Sequence, residues 1–390
     1  MRTVTDDERR ARLGRRHHLA NAAGTVVEAA HDLVGFHGSD PATPFLSARA
    51  RVRGFVVEDL EAALYDARTL VRILAMRRTL FLAPTELFTT LDEACARALA
   101  PPERRRVSRL LEEHRVTDDG AGWLDDACTR TLAALERLGE ATAGELTKEV
   151  PELGTKLAFG EGKRWAGQVG MSTRVLFLLA AEGKVVRGRP RGTWISSQYR
   201  WATAAAWLGG SLERPTKDEA SAELLRRWLR SFGPSTREDI RWWTGWTDRQ
   251  TARALEQVAP LDVVLEDGSD AFVLADDARP VRAPRPWAAF LPALDPTTMG
   301  WKRRAWYLGD LGDALFDRNG NAGPTVWADG RIVGGWAQRP DGQVAVELLV
   351  PLDDATAARI QTERVNAERW FGPVRITPRF RTPVERALLG

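Results

Sequence analysis

Gly183-Lys184-Val185-Val186-Arg187-Gly188-Arg189-Pro190-Arg191-Gly192-Thr193-Trp194-Ile195 is the stretch on which the reading of this chain turns. Two short apolar, partly β-branched arms, 184–187 and 193–195, enclose a Gly-, Pro- and Arg-rich segment at 188–192, which predicts strand, basic turn and strand. Upstream, 143–150 reads as a short helix after Gly139-Glu140-Ala141-Thr142. Residues 165–182 read as a longer helix with a Gly-Gln-Val-Gly interruption, closed by Gly183 as its C-cap. Helix, helix and hairpin in that order predict a winged helix-turn-helix whose wing is the basic hairpin.

The charge distribution gives that wing a direction. Between residues 160 and 200 stand Lys163, Arg164, Arg174, Lys184, Arg187, Arg189, Arg191 and Arg200 against Glu161 and Glu182, on a chain whose net charge is only +3. A local basic patch on a near-neutral protein is the electrostatic footprint of a polyanion-binding face. Arginines gathered in a turn fit that reading better than they fit a solvated helix face.

The same order recurs downstream. Residues 220–232 form an amphipathic pattern with Leu224, Leu225, Trp228 and Leu229 on one face. Ser235 or Thr236 then caps a helix over 237–243, and Thr247 caps another over 248–258. Residues 261–265 and 271–274 make a hairpin around Glu266-Asp267-Gly268-Ser269-Asp270. This second wing is acidic, so only the first is expected to face nucleic acid.

Outward from the two units, residues 1–138 read as mostly helical. A helix carrying Val26, Val27, Ala30, Leu33 and Val34 leads into Phe36-His37-Gly38-Ser39-Asp40-Pro41, which places His37 to Asp40 near its C-terminal end. Arg77 and Arg78 interrupt an apolar run at 73–82, where charges must pair or reach a ligand. Asp59 and Asp66 are the alternatives to DNA as their partners. From 288 the chain turns β-rich, with Asp329-Gly330 and Asp341-Gly342 as hairpin turns and a helix over 354–369, which predicts a small barrel or curved sheet. The expected class is α+β, with tandem winged helix-turn-helix units (139–212 and 213–287) between an N-terminal helical region (1–138) and a C-terminal β-rich, barrel-like domain (288–390).

At 390 residues the chain exceeds one core. No apolar run reaches membrane-span length, and the charged start lacks a signal peptide's apolar core. Cys95 and Cys128 lack metal-ligand spacing and fit free thiols in a reducing cytoplasm. A phosphate loop, a dinucleotide fingerprint, a paired-cysteine zinc site and a nucleophile elbow are all missing, so no cofactor or metal is expected. Most of the 15 tryptophans fall on core-like helix faces; Trp301 and Trp306 flank the basic run Lys302-Arg303-Arg304.

Four segments carry a family resemblance: Leu33 to Thr43, Leu70 to Phe81, Leu291 to Trp301 and Phe316 to Pro324. With the two winged units they resemble the AlkZ/YcaQ family of bacterial winged-helix DNA glycosylases over nearly the whole chain. The resemblance implies double-stranded, damaged DNA as partner, a monomer near the nucleoid in the cytoplasm, and hydrolysis of the N-glycosidic bond of N7-alkylated purines. Family members carry Gln-x-Gln or Gln-x-Asp where this chain has His37-Gly38-Ser39, with Asp40 one residue beyond. Either Asp40 takes the carboxylate role with a one-residue shift, or the chemistry has changed or been lost. His37, Ser39 and Asp40 are the catalytic candidates, as holders of a water beside a sugar with oxocarbenium character. The DNA-binding candidates are Arg187, Arg189 and Arg191 on the wing, Lys163, Arg164 and Gln168 near the recognition-type helix, Arg77 and Arg78 between motif and DNA, and Lys302 and Arg303. The competing reading is a non-catalytic winged-helix regulator, which would dimerise on paired half-sites.

Overall fold

The computed structural model describes residues 2–159, 167–210, 213–378 and 381–390. Among them run the strands β1 (Arg2–Val4), β2 (Phe36–His37), β3 (Leu70–Leu74), β4 (Leu80–Pro84), β5 (Ala141–Thr142), β6 (Lys156–Phe159), β7 (Gly167–Gly170), β8 (Val185–Pro190), β9 (Tyr199–Thr203), β10 (Leu261–Leu265), β11 (Asp270–Val273), β12 (Ala288–Leu291), β13 (Thr325–Ala328), β14 (Arg331–Gln338) and β15 (Val344–Leu348). The fold is α+β.

A six-stranded sheet of order β2-β4-β3-β8-β9-β5 positions the site. Residues 1–138 are mostly helical, as expected, but β2, β3 and β4 also lie there, where the sequence pattern predicts no strand. Leu70–Leu74 is buried at every position and Leu80–Pro84 at all but its first. An apolar run buried on both faces has no alternation to mark it as strand. Arg77 and Arg78 form the β3–β4 turn in left-handed conformations (φ 51° and 62°), so the charges mark a turn and not a helix interior. The helix Val26–Asp32 stops earlier than expected. Val34 and Gly35 turn the chain with positive φ, and a Cβ on Gly35 would sit 2.9 Å from the Leu82 carbonyl oxygen. His37 therefore lies in β2, opposite Phe81, and not at a helix end.

The first hairpin is real but its arms are displaced. β8 runs on to Pro190 through an irregularity after Arg187, and its partner β9 begins only at Tyr199. Residues 193–195 are not strand: Trp194 is buried against Phe45 and Trp370, at ring separations of 4.8 and 5.8 Å. Its apolar character serves tertiary packing. Arg187 and Arg189 consequently lie on β8, and only Arg191 lies in the connecting loop, whose Arg191 N–H donates to the Gln198 carbonyl. The long helix expected over 165–182 is Met171–Ala181, and its supposed Gly-Gln-Val-Gly interruption is β7, paired with β6. Lys163 and Arg164 lie outside the described residues.

In the second unit the helices Lys217–Phe232, Arg237–Thr244 and Asp248–Val258 precede the β10–β11 hairpin, with Thr216, Thr236 and Thr247 as their N-caps. Strand β1 joins this hairpin in parallel, Arg2 opposite Val263. The C-terminal sheet is an open meander, β12-β13-β14-β15. The barrel-like expectation is thus corrected: β12 and β15 are edges that do not pair, so the sheet does not close. The helix Asp354–Phe371 packs against β12 instead. One continuous hydrophobic core extends from Leu13 to Val384, and Trp301 and Trp306 belong to it. These two rings are therefore packing groups; of the basic residues between them Lys302 and Arg303 are exposed and Arg304 is half-buried.

Candidate nucleic-acid cleft

The six-stranded sheet and the helix Met171–Ala181 enclose an open cavity of about 620 Å³, lined by Ser39, Arg72, Arg78, Arg187, Arg191 and Gln198 over an aromatic floor of Tyr199 and Trp201. Four of the residues singled out in the sequence meet here: Ser39, Arg78, Arg187 and Arg191. The cavity is cationic, and its charges come from two strands, β3 (Arg72) and β8 (Arg187), and from the β3–β4 turn (Arg78) and the β8–β9 loop (Arg191).

Arg72 is the residue that the sequence did not reveal. It is buried in the middle of β3, directly across from Arg187 on β8. Its Nη1 donates to the Gly38 carbonyl at 2.7 Å, which ties the guanidinium to the His-Gly-Ser motif. Its carbon sits 4.6 Å from the Tyr199 ring centroid, while Arg187 lies 5.4 Å from Tyr199 and 4.9 Å from Trp201. Burial, then the Arg72 charge, lowers the Arg187 pKa to about 10, so it still carries its proton near neutrality.

Within the motif the three candidates part ways. Ser39 is exposed, and its Oγ accepts from the Leu80 N–H at 3.3 Å. Asp40 is half-buried; its Oδ1 accepts from the Ala42 N–H at 2.9 Å. Both line a second, smaller cavity of about 70 Å³ with Asp317 and Asn321, room for one or two waters. His37 lines neither cavity. It is buried edge-on to Phe81, its Nδ1 has no partner, and burial followed by the Arg77 charge pulls its pKa down to about 3. It is therefore a neutral imidazole behind the motif.

Asp317, which lies in the Phe316–Pro324 segment and is not among the site residues read from the sequence, is the second carboxylate beside Ser39. Burial raises its pKa, but the Asn321 side chain and the Asn321 and Asn319 amides outweigh this and hold it below the ordinary value. Those three donors stand at 3.0, 2.9 and 2.8 Å. It is thus an oriented, ionised carboxylate.

The remaining basic candidates lie around the cleft or away from it. Arg78 pairs with Glu103 at 3.4 Å, and Arg77 stacks over Trp242 at 4.0 Å; neither meets Asp59 or Asp66. Asp66 instead joins Glu61 in holding Arg189, at 3.2 and 3.0 Å. Gln168 lies on β7, exposed, and outside the cavity lining. Lys302 and Arg303 sit by the second hairpin: both backbone amides donate to Asp239, and the Arg303 side chain meets Glu238 and Ser269. Among the described residues, His18, Glu28 and Asp32 bring ligand atoms within 4.8 Å of one another. These groups are occupied in local bonds, His18 with Asp32 and Glu28 with the Gly24 N–H.

A cationic cleft that shares a serine with a smaller cavity holding two carboxylates, on a fold of two helix-and-hairpin units, fits a class of proteins that act on nucleic acid. The profile of the DNA glycosylase AlkZ-like family matches residues 30–370, and the chain belongs to that family. Among solved structures it is similar to the Streptomyces sahachiroi DNA glycosylase AlkZ, with a TM-score of 0.75 over 96% of this chain and 99% of that one, at 20% sequence identity. That likeness is one of fold. No curated protein matches the chain. Among the described residues no helix is long and apolar enough to cross a membrane.

Proposed function

We propose that this protein is a monofunctional DNA glycosylase that acts, as a monomer, on double-stranded DNA and hydrolyses the N-glycosidic bond of N7-substituted purines in cytoplasmic base-excision repair. The observation that carries the proposal is the position of Ser39, which lines the cationic cavity on one side and the small carboxylate cavity on the other. The first would take the strand and the second a water. On this reading the basic hairpin β8–β9 is the wing of a winged helix, with Arg191, Arg78 and Arg187 facing DNA.

An N7-substituted purine is already a cation, so it leaves with the electron pair of the C1′–N9 bond and needs little acid help. The protein must stabilise positive charge growing on the sugar and deliver water to C1′. Asp40 is the group for that work. One of its oxygens is held by the Ala42 N–H, and the other is left to orient the water and take its proton. Ser39 fixes the water or a neighbouring phosphate. The buried, neutral His37 supports the motif from behind and adds no charge repulsion to a cationic transition state.

The test is incubation with duplex DNA containing one N7-methylguanine, scored for abasic sites. Excision is expected from the wild type, and Asp40→Asn should lower its rate by roughly 10²–10⁴-fold. An Asp40→Asn variant as fast as wild type would remove Asp40 from the chemistry. Absence of abasic sites with both N7-methylguanine and a bulky N7 adduct would overturn the activity.

A further inference from the structure

The large cavity contains positive charge that no described side chain balances. Arg72 and Arg187 are cross-strand partners, and their guanidiniums share the Tyr199 ring. Like charges on directly opposed strand positions repel, more strongly where water is excluded. The carboxylates on neighbouring elements are committed elsewhere: Glu61 and Asp66 to Arg189, and Glu103 to Arg78, Arg106 and Arg174. Arg72 is 2% exposed and Tyr199 7% exposed. The Nε atoms of both arginines and the Tyr199 hydroxyl are buried without a hydrogen-bond partner. Unsatisfied donors of this kind, gathered on one cavity wall, are costly unless an acceptor arrives.

We propose that Arg72, Arg187 and Tyr199 form a single-phosphate site that takes one backbone phosphodiester of the bound DNA strand. A tetrahedral oxyanion offers acceptors to two guanidinium forks and a phenol O–H at once, and it supplies the missing negative charge. Because Arg72 also holds the Gly38 carbonyl, the phosphate and the motif share one side chain. The site therefore sets the register of the strand against Ser39 and Asp40. In naming DNA as the source of the phosphate the proposal rests on the function proposed above; the affinity for a tetrahedral oxyanion does not.

Two measurements test it on the whole protein, and neither reads excision. Inorganic phosphate, titrated at constant ionic strength against chloride, should raise the melting temperature of the wild type saturably. Arg187→Gln should abolish the rise, and Arg187→Lys, which keeps the charge, should retain part of it. Phosphate acting no differently from chloride, or full phosphate binding in Arg187→Gln, would overturn the site. In the second measurement, duplexes with one central tetrahydrofuran abasic analogue, which fixes the register, each carry one neutral methylphosphonate, moved stepwise along the strand, and bind the wild type. One position should weaken binding about ten-fold, the size of a lost charge-assisted hydrogen bond. A scan with no such position would overturn the strand as the source, even where free phosphate binds. Failure to excise N7-methylguanine alongside a positive scan would count against the proposed activity and leave the phosphate site standing.

Discussion

His37 is the most deeply buried of the three catalytic candidates. Burial and the Arg77 charge hold its pKa at about 3, against an ordinary value of 6.5. His17, fully buried beside Arg51, is likewise pulled well below 6.5. For a histidine depressed in the folded state, the unfolded chain binds the proton first. The stability these groups contribute is complete above pH 6.5 and is lost as pH falls toward the folded pKa, by about 1.4 kcal/mol per pH unit for each. Urea midpoints measured at about pH 7.5 and about pH 5 should therefore drop steeply for the wild type. His37→Gln should flatten part of that drop, and an unchanged slope would show that His37 is not buried neutral. The next residue is equally constrained: a Cβ on Gly38 would meet Leu82 Cδ1 at 2.6 Å and Arg72 Nη1 at 3.1 Å. Gly38→Ala should cost about 1–3 kcal/mol in the melt, as overpacking does. It should also slow excision per folded molecule by displacing Arg72.

Strand β8 shows why a basic stretch is not one functional unit. Arg187 faces the cavity, Arg189 is neutralised by Glu61 and Asp66, and Arg191 stands exposed in the loop. Arg191→Ala is expected to weaken DNA binding for all sequences and to reduce the slope of log K against log salt by about one. Arg189→Ala should change that slope much less, since its charge already has partners within the fold. Equal slopes for the two variants would contradict this division. The second unit was legible where its helix starts are signalled locally: Thr236 with Asp239 is a capping box and Thr247 an N-cap, both at positions read in the sequence, whereas the helix read from 220 starts earlier, at Lys217 behind Thr216. The first unit hid its strand ends because Trp194 and Ile195 look like strand residues while packing elsewhere. Strands β3 and β4 hid for another reason, being apolar on both faces. Arg72 gave no sign of its role, since an arginine inside an apolar run means something only once its cross-strand partner is known.

At the scale of the whole molecule, the site depends on contacts that join distant parts of the chain, and local periodicity carries no trace of them. Asp317 lines the cavity beside Asp40, and the loop from Leu291 to Trp301 bridges the two sides: the Leu294 N–H donates to the Ala322 carbonyl, and the Thr43 hydroxyl donates to the Ala293 carbonyl. The fastening is a fully buried ion pair, Arg51 with Asp295, bidentate at 2.6 and 2.9 Å. Ser47 donates to the same carboxylate at 2.7 Å, and Thr297 accepts from Arg51 at 2.7 Å while bonding His17 at 2.8 Å. Removing one partner of such a pair strands the other charge in a dry interior. Asp295→Ala should therefore destabilise the protein by about 3–5 kcal/mol in urea titrations. Arg51→Met combined with Asp295→Leu removes both charges together and should recover much of that loss. The double variant also separates stability from function. It refills the core without the bidentate geometry that sets the 291–301 loop, so it should fold well and still excise more slowly than the wild type at temperatures far below its melt. A double variant both stable and fully active would mean that the Arg51–Asp295 pair holds the fold together and does not position the loop beside Asp40.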